Sequence, residues 1–136
     1  MNSKKRMSMR FYQNLGKLFY AIAAADGKVR VEEFAQLKKL VRDQWLVVDA
    51  IDDSFDVDAT DQMEVVFDNL RATDELDATT CYDEFVHYKN KKPHLFTDEV
   101  KKLIIKTASS IAHAFAGINK AELIMLARLD IELKKA

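Results

Sequence analysis

Asp26, Glu32 and Glu33 fall close together around the turn Ala25-Asp26-Gly27-Lys28. Carboxylates at this spacing offer oxygen donors of the kind that Ca²⁺ and Mg²⁺ take from side chains and backbone carbonyls. Glu122 stands in a looser echo of that turn, Ala116-Gly117-Ile118-Asn119-Lys120-Ala121-Glu122-Leu123, and is a fourth candidate ligand. A plainer explanation stays open for all four. Asp-Gly makes the turn, Glu32 and Glu33 complement the dipole of a new helix, and Glu122 completes a capping box behind Asn119. Capping and ligation can coexist.

A second group of acids is denser. Between Asp49 and Asp77 there are eleven carboxylates, and Arg71 is the only basic residue among them. The rest of the chain is net positive by nine, so the overall charge of −1 conceals a strong segregation. Asp52, Ser54, Asp56 and Asp58 alternate as oxygen donors do in an EF-hand loop, but Val57 occupies the glycine position and Met63 that of the bidentate glutamate. An EF-hand is therefore not expected. Asp52, Asp53, Asp56, Asp58 and Asp61 instead read as a solvated face or as a docking surface for a protein partner with a basic surface.

Other combinations carry less. Glu84 and His87 have the Glu-x-x-His spacing of di-iron bundles, yet that chemistry needs two copies and the chain holds one. Ser109 and His113 lie a helical turn apart, without the strained strand-to-helix turn of a hydrolase nucleophile. Cys81 lacks a local nucleophile signature and reads as a small buried hydrophobe. Lys89, Lys91 and Lys92, with Lys4, Lys5 and Arg6, form runs too short to read as a nucleic-acid surface, and they fit solvated helix ends. No nucleophile–base pair and no complete metal triad assembles from these motifs. The expectation is a protein that is not an enzyme and has no catalytic residues.

Helices must position these groups. Only three glycines and one proline interrupt the chain, and alternation of β-branched residues is scarce. Phe11, Leu15, Leu18, Phe19 and Ile22 make one stripe on a helix over 9–25, which Asp26-Gly27 ends. A second helix covers 31–44 with Phe34, Leu37, Leu40 and Val41 inward, while 45–51 fits either an extension or a buried connector. A loop over 52–58 precedes a third helix over 59–71 carrying Met63, Val66, Phe67 and Leu70. The fourth spans 80–91 with Thr80 as its cap, and Pro93 stops it. Thr97 caps a fifth helix reaching Ala116, with Asp98 and Glu99 in its first turn. The sixth begins around Asn119 and is lined by Leu123, Leu126, Leu129 and Leu133. The fold class is all-α, a single compact domain of six to seven helices over 1–136, with 1–8 open to disorder.

The totals agree with that reading. A chain of 136 residues, 49% hydrophobic and 32% charged, is long enough to bury a core without disulfides. One cysteine fits a reducing compartment, and no apolar stretch nears the ~20 residues that cross a bilayer. The expected location is cytoplasmic, with no membrane insertion.

Ala23, Ala25, Asp26, Gly27, Val29, Glu33 and Leu37, echoed by Ala114, Gly117, Ile118, Asn119, Glu122, Leu123 and Leu126, resemble the TerB-like family, named for a tellurite-resistance protein. A related domain occurs in some membrane-anchored DnaJ-like co-chaperones. The resemblance implies pseudo-symmetric helical hairpins, carboxylates near the turns that bind divalent cations, and a bacterial stress setting. The chain departs from the family at Arg30, where serine or threonine is usual, and at Phe115-Ala116, which replaces the second Asp-Gly pair. The functional expectation is a non-catalytic module binding a partner protein or a divalent cation through acidic residues. The alternative is a ligand-free helical scaffold or oligomerisation domain.

Overall fold

The computed structural model describes residues 2–24, 31–51, 59–73, 78–116 and 120–134, with side-chain surroundings for 10–24, 33–45, 63–70, 78–114 and 124–134. Among them are six α-helices and no strand: α1 (Asn2–Ala23), α2 (Val31–Ile51), α3 (Ala59–Thr73), α4 (Ala78–Lys91), α5 (Asp98–Ala116) and α6 (Lys120–Lys134). A 3₁₀ turn, Pro93–Leu95, joins α4 to α5. The architecture is the all-helical domain that the sequence predicts.

Helix α1 is central. It packs on α3, α4, α5 and α6, and its side chains reach α2 through Tyr20–Phe34, Phe19–Trp45 and Tyr12–Trp45 ring contacts. Its predicted stripe, Phe11, Leu15, Leu18, Phe19 and Ile22, is buried, and every other residue from Leu18 to Ala24 is buried with it, so the helix is enclosed on all sides over its last two turns. Its closest neighbour is α3: a Cβ added at Gly16 would stand 3.2 Å from Val66 Cβ and 3.3 Å from the Met63 backbone. Glycine here lets the two helices cross at backbone contact.

Several boundaries differ from the sequence reading, each for a physical reason. Helix α1 starts at Asn2 rather than at residue 9, because nothing in Ser3–Arg10 breaks a helix although the apolar pattern begins only at Phe11. Helix α2 runs on to Ile51, which settles the apolar stretch 45–51 as an extension that holds Trp45 in the core. Helix α4 starts at Ala78, so Thr80 lies inside its first turn instead of capping it. Pro93 opens the 3₁₀ turn, where its missing N–H costs nothing. The Thr97 cap of α5 is present: the Val100 N–H donates to Thr97 Oγ1 at 3.2 Å.

The core is one cluster spanning all six helices. Phe96, just after the 3₁₀ turn, meets Phe11 edge-on at 5.3 Å and Phe85 at 5.8 Å, and so ties the α4–α5 connection to α1. Among the described residues two polar side chains are buried with the core, Thr107 and Lys89. Thr107 bridges α2 and α5: the Trp45 indole N–H donates to Thr107 Oγ1 at 3.0 Å, and that hydroxyl donates to the Leu103 carbonyl at 2.8 Å. Both polar groups enter the interior with their hydrogen bonds made.

Candidate functional site

Asp26 lies outside the described residues, as do Asp52, Asp53, Asp56 and Asp58. Glu32 lies in the first turn of α2, Asp61 on α3 and Glu122 on α6, with their side chains undescribed. Glu33, the one candidate ligand whose side chain is described, is half-buried near the start of α2. Among the described residues no three His, Cys, Asp or Glu side chains gather as metal ligands do.

The acidic segment is better defined on α3. Glu64 is ion-paired with Arg42 of α2, and Asp68 with Lys38 of α2 at 2.7 Å. The four residues recur at helical spacing, Lys38 with Arg42 and Glu64 with Asp68, so each helix offers one face to the other. These exposed or half-exposed pairs are worth only ~0–1 kcal/mol apiece. Their main effect is to fix the register of α3 on α2.

Helices α1 and α4 frame an open groove of about 970 Å³. Arg10, Asn14 and Lys17 line it from one face of α1, and Glu84, His87, Tyr88 and Lys91 from α4, with Lys92 just past its end. Lys17 is paired with Glu84 at 2.9 Å across the groove. The Glu-x-x-His pair thus shares one surface, with the carboxylate engaged by a lysine. Burial pushes the Tyr88 phenol above its ordinary 10.0, while the Arg10 guanidinium draws it down. A smaller groove of about 470 Å³ lies between α5 and α6, lined by Lys101, Lys102, Lys106 and Lys134 with Asp98 and Asp130.

The remaining candidates are engaged locally. The His113 ring pairs through Nδ1 with the Ser109 backbone carbonyl at 2.9 Å, not with a hydroxyl. Ser110 Oγ donates to the Lys106 carbonyl at 3.0 Å. Both are bonds within one helix. Cys81 is completely buried.

Lys89 is the residue whose place the sequence conceals. It reads as one cation of a solvated run, yet it is 5% exposed. Its ammonium contacts Glu132 Oε2 at 3.0 Å and donates to the Glu132 carbonyl at 2.9 Å, joining α4 to α6. Beside it Arg128 lies 5.1 Å over the Tyr82 ring. The only sequence signal was position: Lys89 follows Phe85 by four and Tyr82 by seven, on the buried stripe of α4.

No family model, no curated protein and no solved structure matches the chain.

Proposed function

We propose that the protein is a non-catalytic, TerB-like helical binding module of the cytoplasm that docks a basic partner protein through its acidic segment. The observation that carries this reading is the pair of cross-helix contacts Glu64–Arg42 and Asp68–Lys38. Acids of this segment already take up Lys and Arg side chains presented a helical turn apart. A partner helix with cations at the same spacing meets the same chemistry at Asp52, Asp53, Asp56, Asp58 and Asp61. Rim charges of this kind set the encounter rate and salt dependence more than the final affinity. Occupation of Asp26, Glu32, Glu33 and Glu122 by Ca²⁺ or Mg²⁺ belongs to the same reading, and so does the bacterial stress or tellurite-resistance setting implied by the family resemblance.

The test uses a labelled lysine-rich helical peptide and the full chain. Saturable binding that weakens with salt is expected, and it should fall about tenfold in Asp52→Asn/Asp53→Asn/Asp56→Asn. Equal binding by that variant refutes the docking surface. For the ion, calorimetric heats with Ca²⁺ or Mg²⁺ should vanish in Asp26→Asn/Glu33→Gln.

A second reading, self-association, is favoured by Ile124 and Ile131. They stand two turns apart on α6 and are 52% and 60% exposed. Under it, sedimentation shows a concentration-dependent dimer that Ile131→Glu dissociates; a monomer at every concentration removes it.

A further inference from the structure

Among the described residues, four cations are matched across helix–helix junctions, whereas Lys101, Lys102 and Lys106 of the α5–α6 groove are not. Lys17 has Glu84, Lys38 has Asp68, Arg42 has Glu64 and Lys89 has Glu132. The α1–α4 groove has unmatched cations at one end, and there they come from two different helices. Arg10, Lys91 and Lys92 line it together, and among the described residues none of the three is in an ion pair. Lysines at the end of α4 do complement its dipole. That accounts for Lys91 but not for Arg10, which a different helix brings to the same place. Arg10 is near enough to act on the Tyr88 phenol, which precedes Lys91 by three residues on α4 and Lys92, just past the helix end, by four. The result is three cations lining one end of the groove, from two different helices.

The shape of the groove narrows the ligand. Its α4 wall runs from Thr80 to Lys91, a length of roughly 16 Å at the helical rise per residue. No lining residue is fully buried, and Arg10, Asp83, His87 and Lys91 are exposed. Small-molecule sites enclose most of their ligand, and this trough does not. Asp83 and Glu84 in its wall also oppose a uniformly charged polyphosphate. A polypeptide tolerates both features: it lies lengthwise and places its own charges unevenly.

We propose that the groove between α1 and α4 is a docking site for a carboxylate-rich peptide segment of a partner protein, gripped at one end by Arg10, Lys91 and Lys92. This site is separate from the acidic docking surface and takes a partner of opposite charge, so either can fail without the other. Arg10 supplies a planar fork suited to a carboxylate, and the two lysines add charge without geometric demand.

The test is fluorescence anisotropy of a labelled peptide with its glutamates clustered at one end, titrated with the full chain. Saturable binding is expected, weakening as salt rises. It should be about tenfold weaker in Arg10→Glu/Lys91→Glu and near wild type in Lys102→Glu/Lys106→Glu on the α5–α6 groove. All four substituted residues are exposed, and circular dichroism verifies that each variant folds. Absence of saturable binding overturns the proposal. Equal loss in both double variants does so as well, because it marks a nonspecific field. Displacement of the peptide by millimolar ATP or inorganic phosphate would assign the groove to a phosphate ligand instead.

Discussion

Thr107 and Lys89 show what a single side chain decides in this molecule. Thr107 accepts a hydrogen bond from the Trp45 indole N–H and donates one to the Leu103 carbonyl, with the Thr107 and Trp45 side chains out of contact with water. Thr107→Val keeps the shape and removes the acceptor, stranding a buried N–H, and should destabilise the fold by ~1–3 kcal/mol. Thr107→Ser keeps the hydroxyl and loses a methyl, for about 1 kcal/mol. Denaturation midpoints of the two variants rank the hydrogen bond against the packing; a larger loss for serine would refute the bridge. Neither residue's role was legible in the sequence. A threonine amid Lys106-Thr107-Ala108 looks neutral, and Glu132 is 43 residues from the lysine it holds. Pairings at such separation leave no local trace. The acidic candidates are the reverse case, since spacing alone singles them out.

At the scale of elements the sequence was informative where residues at short range settle the outcome. Thr97 caps α5 as its position predicts, and the starts of α2 and α3 match. It failed where tertiary packing decides. Stretch 45–51 lacks a polar face, so its pattern could not separate helix from connector; burial of Trp45 between α1 and α5 chooses helix. The basic groove was hidden for a related reason, because Arg10 and Lys91 meet only when α1 is laid along α4. The α1–α3 crossing supplies a test of packing. Gly16→Ala is expected near neutral, since ~1 kcal/mol of helix propensity offsets the slight displacement of Met63 and Val66. Gly16→Val drives methyl groups into α3 and should lower stability by ~1–3 kcal/mol. Thermal unfolding of the pair measures this; equal stability of both would show that the helices do not cross at contact.

For the whole molecule, alkaline stability follows from two phenols. Burial raises Tyr82, which the Arg128 guanidinium partly lowers and Glu132 and Asp83 raise further; Tyr88 is raised by burial and partly lowered by Arg10. Folded phenols that hold their protons more tightly than unfolded ones, at 10.0, contribute stability that is complete below that pH. It is lost as pH climbs through the folded values, because the unfolded chain releases its protons first. Denaturation midpoints should therefore fall above pH 10.0, and less steeply in Tyr82→Phe. An unchanged slope would show that this ring is solvated. The described helices meet at one shared core, and none of them is long and apolar enough to cross a membrane.

The chain's one tryptophan sits at the junction of three helices, 1% exposed, with aromatic rings at 6.2 and 6.5 Å. Its emission is thus a built-in optical gauge of whether α1, α2 and α5 remain assembled. A partner that merely rests on an outer surface leaves that colour untouched, whereas one that pries the helices apart turns it red.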